Sequence, residues 1–151
     1  MRILKSLGAA VCALMALALF ATATPVQGQG PGYLGALTSL RTARDYIQSD
    51  HRHDMDGKRH HAVDEINKAI AEIKHAAWDD GVSTKYAPPA AGVTDPWQPM
   101  KMAANWLGEA IKQVDNGPDP NPANRDYQVR ATEHINEARR TIGSLLQYGQ
   151  Q

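Results

Sequence analysis

The segment from about residue 57 to residue 80 carries the pattern that most constrains the fold. Its larger apolar residues recur every three or four positions: Val63, Ile66, Ile70, Ile73 and Ala77. This spacing puts them on one face of an α-helix and is typical of a helix that packs nearly parallel to its neighbours. Small residues widen the same face, so a partner helix can approach closely: Ala62, Ala69 and Ala76.

Three further segments show a helical period, and none of the chain shows the alternation expected of a β-strand. The predicted helices cover about residues 33–48, 57–80, 98–115 and 122–148. The apolar faces of the other three are, in chain order, Leu34, Leu37, Leu40, Ala43 and Ile47; Ala103, Trp106, Ala110, Ile111 and Val114; and Val129, Ala131, Ile135, Ala138, Ile142 and Leu145. Gly81 is expected to end the second helix in the left-handed conformation.

The lengths of the connections indicate how these helices are arranged. The connections over about 49–56 and 115–121 are short, whereas residues 81–97 form a long loop that contains Pro88, Pro89 and Pro96. A faint repeat relates residues 62–73 to residues 131–142, with five identities in twelve positions. We therefore predict an all-α fold, a four-helix bundle made of two helical hairpins joined by a long Pro-rich loop.

The first 28 residues have the composition of a secretory signal peptide. Arg2 and Lys5 precede an uncharged run from Gly8 to Thr24. A basic region, an apolar region and small residues at the cleavage site, in that order, direct export. Cleavage is expected after Ala23 or Gly28. We predict that residues 29–151 form one domain that is periplasmic or secreted.

Removal of this leader excludes several classes of protein. Cys12 leaves with the leader, so we expect no disulfide, no thiolate zinc site and no cysteine nucleophile in the mature chain. Loss of Arg2 and Lys5 leaves 14 basic residues against 16 acidic ones, which gives no basic field for nucleic acid. We also expect no membrane span after signal cleavage, because no second apolar run is long enough.

Three stretches resemble a group of small exported bacterial helical proteins of unknown function. They are Leu40-Arg-Thr-Ala-Arg44, Ala69-Ile-Ala-Glu-Ile-Lys-His-Ala-Ala-Trp-Asp-Asp-Gly81 and Arg130-Ala-Thr-Glu-His-Ile-Asn-Glu-Ala138. In that group a helix ending in Asp-Asp-Gly precedes a loop with paired prolines, here Pro88 and Pro89. Members often carry a histidine before the paired prolines, where this chain has Ala87. The resemblance implies export and a helical fold, and no activity.

Residues 50–61 hold four of the six histidines and three aspartates. Imidazole and carboxylate groups are ligands for zinc, copper and nickel. One interpretation is therefore a transition-metal site made of His51, His53, His61 and either Asp54 or Glu65, since His61 and Glu65 lie one helical turn apart. The other interpretation is a solvated polar turn between two helices. The sequence favours the turn, because no spacing here matches a strong metal motif.

Other pairs of polar residues fit a cofactor less well. Glu72 and His75 have the Glu-x-x-His spacing of di-iron bundles, but the fourth helix lacks a matching pair. His134 and Met102 would be the axial ligands of a non-covalent haem, yet the core lacks the gap that a haem requires. We expect His134 to bond to a neighbouring carboxylate or to water.

The sequence shows no Ser-His-Asp order, glycine-rich phosphate loop or paired-carboxylate cleft, which disfavours an enzyme. Trp78 and Trp106 are expected to pack in the core or against a loop rather than to bind a ligand. We therefore expect a non-catalytic binding or structural component of the cell envelope, with no cofactor and an envelope partner that the sequence does not identify. The alternative is a periplasmic transition-metal-binding protein that uses the segment from His51 to His61.

Overall fold

The computed structural model describes residues 32–50, 57–94, 98–115 and 121–148. In these ranges the chain is all-helical, with helices α1 (Tyr33–Ser49), α2 (Lys58–Asp79), α3 (Pro99–Val114) and α4 (Arg125–Tyr148). Short 3₁₀ turns cover Thr84–Tyr86 and Pro122–Asn124. The predicted helices agree with these bounds to within a residue or two, except that the 3₁₀ turn delays the start of α4.

Contacts at the helix ends give the helix directions. The Tyr33 hydroxyl, at the start of α1, donates to Asp80 Oδ2 beyond the end of α2 at 2.7 Å. The Gly32 N–H donates to the Gln113 carbonyl near the end of α3 at 2.9 Å. The Asn124 amide, just before α4, donates to the Ala76 carbonyl near the end of α2 at 3.2 Å. Helix α1 is therefore antiparallel to α2 and α3, and α4 is antiparallel to α2.

Helix α1 makes its most extensive contacts with α3, and α2 makes its most extensive contacts with α4. Buried alanines repeat every seven residues in each of these helices, and each is at most 1% exposed: Ala36 and Ala43 in α1, Ala62, Ala69 and Ala76 in α2, Ala103 and Ala110 in α3, and Ala131 and Ala138 in α4. A row of methyl groups lets two helix backbones approach more closely than larger side chains would. The closest packing therefore joins helices that are distant in sequence, not the two helices on either side of a short connection.

The apolar faces form one shared core, and most predicted stripe residues are buried in it. The buried faces of α4 and α3 differ from the predicted apolar faces at their edges. Val129 is predicted to lie on the apolar face of α4 but is 49% exposed, so the buried face begins at Ala131. On α3, Leu107 is fully buried while Trp106 and Ile111 are only partly buried, so the buried face is rotated by about one position. Each residue turns the helix by about 100°, and one position is enough to move a side chain to the margin.

Gly81 ends α2 as predicted, with a left-handed φ of 68°. The Gly81 N–H donates to the Trp78 carbonyl at 3.0 Å, and the Val82 N–H donates to the Ala77 carbonyl at 2.7 Å. This pair of bonds is a Schellman motif, which satisfies carbonyls that the end of a helix leaves without partners. It also turns the chain sharply, so residues 82–85 fold back beside the last turn of α2.

The described part of the long connection, residues 81–94, lies along α1. Thr38 Oγ1 donates to the Pro88 carbonyl at 3.1 Å, the Ala91 N–H donates to Thr42 Oγ1 at 2.9 Å, and the Thr94 N–H donates to the Tyr46 hydroxyl at 2.9 Å. These three residues of α1 are four positions apart and share one face. Because α2 and α3 run in the same direction, the chain between them must return along the length of the helices, which explains the length of this connection.

Asp80 joins three elements at one end of the structure. Its Oδ2 accepts from the Tyr33 hydroxyl, and its Oδ1 accepts from the amides of Asn124, at 2.6 Å, and Asn121, at 3.3 Å. Asn124 is fully buried. A buried amide costs free energy unless it is hydrogen-bonded. The carboxylate of Asp80 therefore holds the start of α1, the end of α2 and the start of α4 together.

None of the helices in the described ranges combines the length and the apolar character that crossing a bilayer requires.

We predict that Asp80→Ala lowers the free energy of unfolding by about 1–3 kcal/mol, because it removes one of the two acceptors of the buried Asn124 amide and the carboxylate that accepts from the Tyr33 hydroxyl. Urea unfolding followed by circular dichroism measures the change. Asp79→Ala is the matched control. Asp79 is exposed, so its loss should change stability by no more than about 0.5 kcal/mol. Equal losses in the two variants would contradict the role given to Asp80.

Candidate functional site

A row of paired polar and aromatic side chains crosses the interface between α2 and α4. We call this row the α2/α4 polar ladder. Its pairs are His61 with Glu137, Glu65 with His134, Glu72 with Arg130, and His75 with Tyr127. The ladder flanks the alanine rows of the two helices. Because the helices are antiparallel, the partners on α4 descend in number as those on α2 rise.

Glu65 is the most buried member of the ladder, with 5% exposure. Its Oε2 accepts from His134 Nδ1 at 2.7 Å, and its Oε1 accepts from Lys68 Nζ at 2.6 Å. A carboxylate only accepts, so Nδ1 carries the hydrogen of the His134 ring in this pair. Burial raises the pKa of Glu65, but the hydrogen bonds and positive charges of Lys68 and His134 outweigh burial and hold that pKa below its ordinary value. Both carboxylate oxygens of Glu65 therefore have partners.

The pair at the start of α2 is more open to solvent. His61 Nε2 lies 3.4 Å from Glu137 Oε1, and the side chains are 51% and 38% exposed. Arg140 also donates to Glu137, from Nε at 3.0 Å. The hydrogen bond from Arg140, and then the one from His61, lowers the pKa of Glu137. Glu137 is therefore an anion that two cationic or polar side chains share at the protein surface.

The other two pairs of the α2/α4 polar ladder combine an ion pair with aromatic stacking. Arg130 donates to Glu72 Oε2 from Nε at 3.0 Å and from Nη2 at 2.9 Å. Its guanidinium also lies 4.8 Å from the ring centre of Tyr127. The rings of Tyr127 and His75 stack with centroids 5.6 Å apart. Stacking and cation–π contacts add to the ion pair, so this end of the interface is fixed by several weak interactions.

The predicted metal ligands are only partly covered by the structure. His51 and His53 lie outside the described residues, as does Asp54. His61 and Glu65 lie one turn apart on α2, as expected, but each faces a different partner on α4. Within the described ranges, no three His, Cys, Asp or Glu side chains are grouped as a metal ion requires. The set of four ligands stays a prediction.

The other candidate pairs have partners that the sequence did not identify. His134 bonds to a neighbouring carboxylate, as expected, and that carboxylate is Glu65. Glu72 and His75 have the spacing of a di-iron pair, but they do not meet a second such pair. Glu72 binds Arg130, and the ring of His75 stacks on Tyr127. The internal repeat gives no signal for these pairs, because it aligns Glu72 with Thr141 whereas the antiparallel helices pair Glu72 with Arg130.

Trp78 lies outside the core, contrary to the expectation from its position near the stripe of α2. Its side chain is 82% exposed. It follows Ala77, which is fully buried, and one residue turns the helix by about 100°. The buried face of α2 therefore ends at Ala77 and does not include the indole. Trp106, in contrast, is partly buried against the core, as predicted.

A surface depression of about 530 Å³ lies on α3 and α4, away from the ladder, and includes Trp106, Glu109, Lys112 and Arg139 in its lining. Lys112 Nζ donates to Glu109 Oε1 at 2.6 Å, so two of its charged groups already neutralise each other. We therefore regard the ladder and the surface around Trp78 as the informative features.

Comparison with models of protein families, with curated proteins and with solved structures gave no significant match in any of the three searches.

We predict that the stability of the protein falls as the pH drops through the acid range, and that Glu65 contributes to this fall. The pKa of Glu65 is lower in the folded chain than its ordinary value of 4.5. The carboxylate therefore stabilises the fold fully above pH 4.5, and the contribution is lost as the pH falls through the lower, folded-state pKa. Glu65→Gln should cost about 1–3 kcal/mol at pH 7 and much less below that pKa.

Urea unfolding at a series of pH values measures this difference, and Glu133→Gln is the matched control on α4. Glu133 is exposed, so its variant should follow the unchanged protein at every pH. A cost of Glu65→Gln that is the same at pH 3 and at pH 7 would contradict the prediction.

Proposed function

We propose that this chain is an exported, non-catalytic helical protein that acts as a binding or structural component of the bacterial cell envelope. We also propose that the four helices of the described ranges form a four-helix bundle of two hairpins, α1 with α2 and α3 with α4, joined by the connection over residues 80–98. The hydrogen bonds of that connection to Thr38, Thr42 and Tyr46 support this arrangement.

The observation that carries the proposal is the pairing within the α2/α4 polar ladder. The most buried carboxylate, Glu65, is bound by Lys68 and His134, and Glu72 is bound by Arg130. A catalytic acid or base needs a position from which it can reach a substrate proton. These carboxylates instead hold two helices together. The ladder therefore favours a structural role for the residues that would otherwise be candidates for chemistry.

The proposal of export rests on the amino-acid sequence of the leader and on the resemblance to exported helical proteins. Arg2 and Lys5, followed by the uncharged run from Gly8 to Thr24, have the order of regions that export requires. Residues 1–31 lie outside the described part of the structure, so this support comes from sequence alone.

We predict that the full chain, expressed with a carboxyl-terminal tag in a Gram-negative host, is cut after Ala23 or Gly28 and fractionates with the periplasm or the envelope. Amino-terminal sequencing and cell fractionation measure this. Leu14→Arg places a charge in the apolar run and should leave the chain uncut in the cytoplasm, whereas Ser6→Arg adds the same charge before the run and should be exported.

In the exporting cells, lysine-reactive crosslinking should give a discrete adduct in the envelope fraction. An uncut cytoplasmic chain would overturn the proposal.

A second candidate function is transition-metal binding by the segment from His51 to His61. The position of His61 favours it, since this half-exposed ring lies in the first turn of α2, at the end of that segment. Its Nε2 lies 3.4 Å from Glu137 Oε1, and Glu65 follows one turn later on α2. The proposed ligands are His51, His53, His61 and Glu65, and the ions would be Zn²⁺, Cu²⁺ or Ni²⁺.

If this second function holds, calorimetric titration of the processed protein should give submillimolar binding of one of these ions. The variant His51/His53/His61→Ala should lose at least about tenfold in affinity. His75→Ala is the control, because His75 lies about 21 Å along α2 from His61 and cannot share an ion with it. Binding weaker than millimolar, or unchanged in the triple variant, removes the site.

A further inference from the structure

Trp78 is the most exposed of the large apolar side chains in the described ranges. Its exposure is 82%, against 49% for Val129, 37% for Val93 and 36% for Val82. Tryptophan is highly buried on average in folded proteins. A single exposed apolar side chain is normal, but Trp78 and Val82 are both exposed and line one groove, and exposed apolar patches mark surfaces that another molecule covers.

The groove beside Trp78 is built by the end of α2 and the turn after it. Lys74 lies one turn before Trp78 on the same outward line of the helix. The Schellman motif at Gly81 then brings Val82, Ser83 and Lys85 to the other side of the indole, which closes a groove of about 410 Å³. Ligand pockets span about 300–1,000 Å³, so this groove suits a short segment with one or two side chains.

The charges in the groove are of one sign. Its lining includes Lys74 and Lys85 and no acidic residue. Both lysines are exposed, and no acidic side chain of the described ranges pairs with either. Two carboxylates follow Trp78 in the sequence. Asp80 bonds to Tyr33 and Asn124, Asp79 is exposed, and neither belongs to the lining of the groove. The groove therefore offers one apolar face between two positive charges.

We propose that this groove binds a short acidic segment of a partner protein. An apolar side chain of that segment covers Trp78 and Val82, while neighbouring carboxylates pair with Lys74 and Lys85. Charge complementarity selects the acidic character of the segment. Because the groove is concave, it accommodates an inserted peptide segment better than the flat surface of a bilayer. This inference rests on the proposed function and deepens it, because it names the surface and the chemistry of the partner.

Trp78 should contribute most of the binding and the lysines less. Buried aromatic side chains dominate the energy of interfaces. Exposed ion pairs contribute less and are screened by salt. The two contributions can therefore be separated by substitution and by ionic strength.

The experiment follows the indole N–H signals of the processed, ¹⁵N-labelled protein by NMR. The three tryptophans give three signals, and Trp78→Phe identifies the one from Trp78. The probe is the peptide acetyl-Glu-Glu-Leu-Phe-Glu-Glu-amide, with acetyl-Gln-Gln-Leu-Phe-Gln-Gln-amide as its uncharged counterpart. The acidic peptide should shift the Trp78 signal to saturation. The uncharged peptide should bind at least about fivefold more weakly, and salt should narrow that difference.

Variants then test the two kinds of contact. Trp78→Ala should weaken binding of the acidic peptide at least about tenfold, as measured by fluorescence anisotropy of a labelled peptide. Lys74→Gln/Lys85→Gln should weaken it about three- to fivefold. The matched controls are Val129→Ala, an exposed apolar residue on α4, and Lys101→Gln, an exposed lysine on α3, and neither should change binding.

Three results would overturn the inference. They are an unmoved Trp78 signal, equal binding of the two peptides, and a response of the Trp78 signal to vesicles of anionic phosphatidylglycerol but not to the acidic peptide. In each case, if the protein is exported and forms a crosslinked adduct in the envelope, the proposed function holds and only the role of this groove is contradicted. A chain that binds the peptide but stays in the cytoplasm would instead overturn the proposed function alone.

Discussion

Alanines that repeat every seven residues are the constraint on which the rest of the structure depends. At Ala69 and Ala138, for example, the side chain is fully buried and contributes only a methyl group to the interface. Small residues at this spacing keep one face of each helix flat, so α2 approaches α4 and α1 approaches α3 closely. Close backbones bring the residues beside the alanine rows within reach of one another. The polar pairs of α2 and α4 follow from that distance.

The α2/α4 polar ladder makes this close packing specific. Apolar faces alone tolerate a shift of one helix along another, whereas paired charges do not. A shift by one turn would separate Glu65 from His134 and leave a buried carboxylate with fewer partners, which is costly. Asp80 adds a second fixed point at the end of the same interface. The ladder thus sets the register of α2 against α4, and the alanine rows set their separation.

The exposed indole of Trp78 is an exception to this pattern of buried or paired side chains. Glu65, the buried carboxylate of α2, has a partner on α4, and the buried apolar residues of α2 lie in the core, whereas Trp78 is exposed. Departures from the usual rules of burial concentrate at functional sites in natural proteins. This surface is also built on a helix end fixed by hydrogen bonds at Gly81, so its shape is defined before anything binds. We regard it as the place where the helical scaffold contacts its surroundings.

The sequence by itself determined the number of helices, their bounds and most of the core, because helical period and end signals such as Gly81 are local properties of the chain. It also singled out His61, Glu65 and His134 but not their pairing, since Glu65 and His134 are 69 residues apart and meet only after packing. Only the tertiary structure decided that α1 packs closest to α3 and that Trp78 faces solvent. The physical reason is that a side chain at the margin of an apolar stripe becomes buried or exposed according to which neighbour lies beside it.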